Sequence, residues 1–233
     1  MSTFLRIGYV TFFSVAKALP GYDNYLCKIE SSQALALLPK KYTIRDYKVG
    51  EKGFASIYDI KGAQIFLSQV SVHYARKVLE YLLAPALKEL KLKIKKSAWI
   101  NDASYRKVAI EVLDKESDIK DSFQLYKALK PYLEKINFSD YFRGNIGFVC
   151  YNEDIKEFVK NALCPPGHLD KIYKVTVHKE SDKVSILVDD SILGLIVGKN
   201  ATNLILAKKL CNCDIEITGI NMNIILSYRN KNN

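Results

Sequence analysis

Residues 184–217 read VSILVDDSILGLIVGKNATNLILAKKLCNCDIEI, and the order of patterns in this stretch decides the fold. Alternating apolar residues predict a strand that ends at the acidic pair Asp189 and Asp190. Two short apolar helices follow, joined by Gly198-Lys199-Asn200-Ala201, and an alternating strand closes the stretch. A tight loop between two helices presents backbone N–H groups and a helix N-terminus, which are the groups that bind phosphate. The stretch therefore predicts a nucleic-acid-binding module.

The composition agrees with a polyanionic partner. The chain has 233 residues, enough for two or three units of about 70 to 100 residues each. Its 35 lysines and arginines exceed its 25 aspartates and glutamates, which gives a net charge of +10. This excess favours nucleic acid, while a merely well-solvated surface is the alternative interpretation. The chain shows neither a membrane-length apolar run nor a signal peptide, so we expect a cytoplasmic protein.

The first third of the chain reads as short strands separated by turn residues. Five apolar or alternating segments are FLRIGYVTFF (4–13), YDNYLCKIE (22–30), ALALLP (34–39), KGFASIYDI (52–60) and AQIFLS (63–68). A sheet this small is stable when its edges pair with each other. The pattern therefore predicts a small closed barrel, of the OB type.

The rest of the chain reads as a structural repeat of mixed helices and strands. Helical spacing predicts a helix over 72–90, which Pro85 kinks or splits. The further predicted elements are strands at 92–99 and 105–113, a helix at 117–133, a strand at 145–150, a helix at 153–163 and strands at 172–177 and 184–188. Together with residues 184–217 they suggest two successive units of helix, two strands, two helices and strand. An edge strand at 221–228 would extend the second unit.

Several stretches resemble the RNA-binding core of the bacterial transcription factor NusA. The closest likeness is LGLIVGKN (193–200), continued by NLILAKKL (203–210). AQIFLS before the 72–83 helix, YRKVAI (105–110) and FVKNALCP (158–165) are also similar to the family. The resemblance implies an OB-fold barrel of the ribosomal S-one type at 1–70 and two α+β KH domains of prokaryotic topology at 71–151 and 152–233.

The sequence departs from that family at three places. The family's polymerase-binding domain is expected ahead of the barrel, but here the barrel begins close to Met1. The first KH domain should contain a GxxG loop, yet no glycine stands between Gly62 and Gly144. In the second KH domain Ala201 occupies the position of the last glycine. We therefore expect a degenerate first KH domain without a phosphate loop and a second one with a GKNA loop.

The candidate RNA-binding residues follow from these patterns. Glycine allows a tight loop, and a lysine at its tip can contact phosphate oxygens. Exposed aromatic rings on a barrel can stack on unpaired bases, although such rings are more often core. Lys93, between Lys91 and Lys95 on one strand face, belongs either to a phosphate-contacting stripe or to a solvated face. The candidates are Gly198, Lys199, Asn200, Ala201, Asn203, Ile196, Lys93, Phe12 and Tyr25.

Catalytic and metal-binding chemistry is not indicated by the sequence. His73, His168 and His178 have no nucleophile or metal-ligand spacing, and the five cysteines show no CxxC pair. We therefore expect no catalytic residue, metal or cofactor, and free thiols. The resemblance implies single-stranded RNA as partner, with RNA polymerase or another elongation factor as a further partner, and a role in transcription elongation, termination or antitermination. The alternative is a protein-interaction scaffold whose degenerate KH folds bind little or no RNA.

Overall fold

A computed structural model describes residues 5–100, 105–165, 167–178 and 180–221. The chain packs as two compact units. The first contains residues up to 87 together with 132–143, and the second contains 88–131 together with residues from 144 onward. Within the described residues, the helices are too short or too polar to cross a membrane.

Five strands form the centre of the first unit. They are β1 (Val10–Leu19), β2 (Asn24–Ile29), β3 (Leu35–Pro39), β4 (Lys52–Lys61) and β5 (Gln64–Ser68). They close into a barrel in the order β1-β2-β3-β5-β4, in which β3 and β5 run parallel and the other pairs run antiparallel. Alternate side chains fill the interior, among them Phe13, Val15 and Cys27. The predicted small closed barrel is confirmed.

The first strand lies further along the chain than the sequence pattern indicated. The apolar segment at 4–13 predicted a strand there, but β1 begins at Val10. Ile7 and Gly8 form a turn instead, and Gly8 has a φ of +84° that other residues rarely adopt. The turn delays the strand, which then continues through Ser14 to Leu19.

Two helices follow the barrel, as the position of Pro85 predicted. Ser71 caps α1 (Val72–Leu82) by accepting a hydrogen bond of 3.1 Å from the Tyr74 N–H. Helix α2 (Ala84–Glu89) begins directly before Pro85, where a missing N–H costs nothing because the first turn of a helix has no acceptor for it. The predicted split at this proline is confirmed.

The second unit begins with a three-stranded sheet. Strands β6 (Leu92–Trp99), β7 (Tyr105–Val112) and β8 (Asn145–Cys150) pair in that order, β6 antiparallel and β8 parallel to β7. The helix α3 (Ser122–Leu133) lies between β7 and β8 in the chain. It begins later than residue 117 because Asp121 accepts hydrogen bonds of 2.8 Å from the N–H groups of Phe123 and Gln124.

A second sheet of the same topology follows. Its strands are β9 (Ile172–His178), β10 (Lys183–Asp189) and β11 (Asp214–Ile220). Helix α4 (Ile155–Leu163) precedes the sheet in the chain, and helices α5 (Asp190–Val197) and α6 (Thr202–Cys211) lie between β10 and β11. β10 pairs antiparallel with β9 and parallel with β11. Apolar residues from both sheets, such as Ala109, Val149, Ile186 and Leu206, form one core.

The two sheets confirm a repeated topology, but the predicted number of helices is wrong for the first. The described residues between β7 and β8 contain the single α-helix α3 and a 3-10 turn at Phe138–Asp140, where the repeat called for two α-helices. Residues 132–143 pack with the barrel instead: Tyr74 donates a hydrogen bond of 2.8 Å to the Tyr141 carbonyl. The predicted edge strand at 221–228 lies outside the described residues after Asn221.

Candidate nucleic-acid interface

The loop between α5 and α6 is positioned by a capped helix. Asp189 ends β10 and accepts a hydrogen bond of 2.8 Å from the Ser191 N–H, which caps α5. The Tyr173 hydroxyl also donates to this carboxylate, at 2.6 Å. The hydrogen bonds from Ser191 and then Tyr173 lower the pKa of Asp189 to about 2. The acidic pair thus begins a helix, as the sequence indicated, and fixes where the loop starts.

Gly198 makes the sharp turn out of α5. Its φ of +75° and ψ of 166° lie in a region that is essentially restricted to glycine. A Cβ built on this residue would lie 2.8 Å from the Asn203 Cβ and 3.0 Å from the Asn203 nitrogen. The sequence prediction that a tight loop requires Gly198 is therefore supported by both its backbone angles and its close neighbour.

Asn203 ties the loop to its surroundings. Its side-chain amide donates hydrogen bonds to the carbonyl of Ile196, at 2.6 Å, and to that of Leu163, at 2.9 Å. These two carbonyls lie in the last turns of α5 and α4. Carbonyl groups in the last turn of a helix have no hydrogen-bond donor within that helix. The Asn203 side chain therefore holds the loop in place, and both of its amide hydrogens are already donated.

The rest of the loop is exposed. Lys199 and Asn200 face solvent in a single 3-10 turn, and both Asn200 and Ala201 have left-handed backbone angles, with φ of 52° and 56°. Ala201 precedes α6 and provides no side-chain cap. The Thr202 N–H donates to the Lys199 carbonyl, and the N–H groups that follow it in the first turn of α6 have no side-chain cap. These later N–H groups leave a helix N-terminus able to accept an anion beside the Lys199 ammonium.

A cleft of about 530 Å³ lies next to this loop. One wall comes from the loop and its helices, through Leu195, Gly198, Lys199 and Thr202. The facing wall comes from β7, α3 and β8, and includes Tyr105, Arg106, Lys107, Tyr126 and Phe148. Among its described lining residues there is no aspartate or glutamate, whereas three are cationic. The cleft can therefore accept a flat apolar group attached to an anion.

Lys107 is a partly buried cation of the cleft. Its ammonium donates a hydrogen bond to the Ala162 carbonyl in the last turn of α4. Burial lowers the pKa of Lys107 to about 8, although the nearby thiols of Cys211 and Cys164 oppose the shift. The positive charge of Lys107 stabilises the C-terminal end of α4. Lys107 therefore stabilises the fold and also makes the cleft more positive.

Two candidates from the sequence are core residues. Ile196 is fully buried, and Tyr25 is only 3% exposed inside the barrel. The Tyr25 hydroxyl donates a hydrogen bond to Asp46 at 3.1 Å and accepts one from the Tyr47 N–H at 3.2 Å, so this hydroxyl has partners within the protein. Neither side chain offers a face to a base, and both predictions of contact are corrected on this ground.

Two further candidates, Lys93 and Phe12, lie on the surface of the second and the first unit, respectively. Lys93 is exposed on β6 and does not line the cleft, while Lys91 and Lys95 form ion pairs with Asp114 and Glu111. Phe12 is 46% exposed on the outside of the barrel. Sequence reasoning missed the wall formed by Tyr105 and Tyr126, because the strand and helix that bring these rings to the loop are distant from it in the chain.

Four of the five cysteines are buried, and Cys213 is partly exposed. Cys27, Cys150, Cys164 and Cys211 are buried, and burial raises the pKa of each, to about 11 for Cys150 and Cys164 and about 12 for Cys27 and Cys211. Among the described residues, no three histidine, cysteine or acidic side chains are grouped so as to hold a metal ion.

Comparison with known proteins connects this site to a family. Residues 155–223, which contain α4 to α6 and the loop, match the family model of the NusA-like second KH domain. The transcription termination/antitermination protein NusA of Borreliella burgdorferi is 28% identical over 188 residues, 78% of this chain. NusA of Rickettsia prowazekii is 26% identical over 197 residues, 81% of this chain. The resemblance to NusA is confirmed.

A third NusA is similar to this chain over a shorter stretch. NusA of Halalkalibacterium halodurans is 39% identical over 72 residues, which are 31% of this chain and 18% of that protein. The chain spans 37% of the Borreliella NusA and 38% of the Rickettsia NusA. The likeness thus covers most of this chain but less than two fifths of these NusA proteins.

Proposed function

We infer that this chain is an RNA-binding protein of the NusA type, with an OB-fold barrel at 1–70, a degenerate first KH domain at 71–151 and a second KH domain at 152–233. The strand order of the barrel and the repeated three-stranded sheets support this division. The single observation that carries the function is the loop Gly198–Ala201, which joins a glycine-specific turn to a helix N-terminus without a side-chain cap, inside the region matched as a NusA-like KH domain.

The loop and cleft suggest how single-stranded RNA binds. A phosphate sits at the N-terminus of α6, where N–H groups and the Lys199 ammonium surround it. The adjoining base enters the cleft and contacts Leu195 and the rings of Tyr105 and Tyr126, which are 56%, 48% and 45% exposed. Apolar and aromatic contact of this kind tolerates different bases. Lys93 supplies a further contact to the sugar-phosphate backbone.

The proposed biological role rests on the names of the relatives. RNA binding by this chain serves transcription elongation, termination or antitermination, and the protein partner is RNA polymerase or another elongation factor. The chain needs no catalytic residue, cofactor or small-molecule substrate for this role.

Filter binding to single-stranded RNA over a series of salt concentrations tests the proposal. Affinity should fall as salt rises, by a logarithmic slope of about 0.7 for each phosphate contacted. Lys199→Glu should weaken binding about tenfold or more and lower that slope. Lys115→Glu is the matched control, because Lys115 is an exposed lysine in the same unit and does not line the cleft.

Two results would contradict the proposal. Absence of RNA binding at low salt would contradict the RNA-binding function and favour the alternative, a protein-interaction scaffold. Equal losses for Lys199→Glu and Lys115→Glu would show that a diffuse positive charge, and not the loop, holds the RNA.

A further inference from the structure

Lys107 combines a partly buried amine with open space beside its side chain. It lies on β7 between Ala98 on β6 and Gly147 on β8, which are its register partners on the two neighbouring strands. Both partners are small, and even a Cβ built on Gly147 would lie 3.8 Å from the Lys107 Cγ, an ordinary contact distance. The neighbouring strands therefore leave the Lys107 side chain open to the cleft beside the Gly198–Ala201 loop.

The Lys107 amine is available as a nucleophile at pH values where an ordinary lysine is protonated. Because burial lowers its pKa to about 8, about half of the molecules carry the neutral amine at about pH 8, against roughly 0.3% for an ordinary lysine. The nearby thiols of Cys164 and Cys211 have pKa values raised by burial to about 11 and about 12, so they stay protonated. Of these three groups, Lys107 alone is substantially deprotonated at about pH 8.

The cleft favours a reagent that carries negative charge. Arg106, Lys107 and Lys199 line it, and its described lining residues include no aspartate or glutamate. The N-terminus of α6, which has no side-chain cap, adds partial positive charge through Thr202 at the same wall. A volume of about 530 Å³ is enough for a small molecule. A small anion beside Lys199 therefore shares the cleft with the Lys107 amine.

We propose that Lys107 is an acylation site, modified by a small acyl phosphate that binds in this cleft with its phosphate toward Lys199. The Lys107 nitrogen attacks the carbonyl carbon and forms a C–N bond, while the bond between that carbon and the phosphate oxygen breaks. The amine proton leaves with the phosphate, so the products are an amide on Lys107 and hydrogen phosphate. An acyl phosphate provides both features that the cleft accommodates, an anionic group and an electrophilic carbon.

Acylation changes the charge of the cleft. It removes one of the three positive side chains that line the cleft and replaces the ammonium at the Ala162 carbonyl by a neutral amide. Loss of a cation weakens the attraction for the phosphates of RNA. The reaction itself does not depend on RNA, whereas its effect on RNA affinity rests on the proposed function.

Site-resolved mass spectrometry of the unaltered chain tests the reaction. The protein is incubated with acetyl phosphate, and the acetylation rate of each lysine is measured from about pH 7 to about pH 10. At about pH 8, Lys107 should react at least about tenfold faster than Lys115, an exposed lysine outside the cleft. The Lys107 rate should level off above about pH 8, whereas an ordinary lysine reacts faster up to about pH 10.

Lys199→Gln tests how the reagent is held. Without the Lys199 cation, acetylation of Lys107 should slow about tenfold, since a charge-assisted contact to the phosphate is lost. Acetylation of Lys115 in the same sample is the control and should not change. Excess inorganic phosphate should slow the reaction at Lys107 and have no effect at Lys115.

Two results would overturn the proposal. One is acetylation of Lys107 and Lys115 at equal rates in the unaltered chain. The other is a Lys107 rate that neither Lys199→Gln nor inorganic phosphate changes. Because the first measurement needs no variant, it does not depend on whether a variant folds.

RNA binding provides a separate readout. Acetylation should weaken RNA binding by the parent chain more than by Lys107→Arg, which keeps the charge and cannot be acetylated at this position. Equal losses would show that the modification does not control RNA affinity. Selective acetylation of Lys107 in a chain that binds no RNA would support the reaction while contradicting the proposed function.

Discussion

Single residues decide whether the backbone of the Gly198–Ala201 loop can form. Gly198 satisfies two separate demands, a glycine-specific pair of backbone angles and a neighbour that leaves no room for a Cβ. Ala201 does not meet the conformational demand of its own position, since an L-residue with a Cβ is strained at a φ of 56°. The two positions give opposite predictions for substitution.

Gly198→Ala should destabilise the protein by about 3 kcal/mol, because backbone strain of about 1 to 3 kcal/mol adds to the contact with Asn203. Gly194→Ala is the control on the preceding helix. No atom lies within 4 Å of a Cβ built on Gly194, so that substitution should stabilise α5 by about 0.5 to 1 kcal/mol. Urea unfolding of both variants measures the difference, and equal stabilities would refute the claimed turn geometry.

Ala201→Gly should act in the other direction. Relief of left-handed strain is worth about 1 to 2 kcal/mol, and the greater freedom of glycine in the unfolded chain offsets about 0.4 to 1 kcal/mol of it. We expect a net gain of roughly 0.5 to 1 kcal/mol in the free energy of unfolding, measured by urea denaturation. A loss of stability would mean that Ala201 is not held in the left-handed conformation.

Between elements, Lys107 connects strand β7 to the C-terminal end of helix α4. Its pKa of about 8 in the folded protein is below the ordinary value of 10.5. Between these values the unfolded chain binds more protons than the folded protein, so the contribution of Lys107 to stability rises with pH. Below about pH 8 both states are protonated and the cost of burying the charge is constant.

Comparison with Lys107→Met isolates this effect. The free energy of unfolding of the parent, relative to the variant, should increase by about 2 kcal/mol from about pH 8 to about pH 10. The raised pKa values of the buried cysteines act with the opposite sign in both proteins and largely cancel in the difference. A difference that stays constant over this range would show that Lys107 titrates normally in the folded protein.

The elements themselves were largely readable from residue patterns. Strict alternation over 184–188 and helical spacing after Val72 indicated the right element types, and Pro85 marked the break between α1 and α2. Errors arose where a local polar or turn interaction overrode the apolar pattern. The turn at Gly8 delayed β1, and the cap at Asp121 shortened α3. Tyr25 was misplaced because alternation in a short strand does not reveal which face is inside.

For the whole molecule, sequence order indicated the barrel and the two sheets but not the long-range packing. The segment 132–143 leaves the repeated sheet topology and packs in the first unit, where the Arg143 guanidinium donates a hydrogen bond of 3.2 Å to the Ile44 carbonyl. The loop Gly198–Ala201 was predicted because its residues are contiguous. The cleft beside it was not, since Tyr105, Tyr126 and Phe148 meet only in the folded unit.

The most direct test of RNA recognition by the Gly198–Ala201 loop is an NMR titration of the ¹⁵N-labelled chain with single-stranded RNA. If RNA binds at this loop, the largest shifts should occur at the amides of Gly198, Lys199, Asn200 and Asn203, with smaller ones at Tyr105 and Tyr126. Lys199→Glu should raise the RNA concentration needed to reach them about tenfold or more. RNA binding that leaves these amides unmoved would contradict the account.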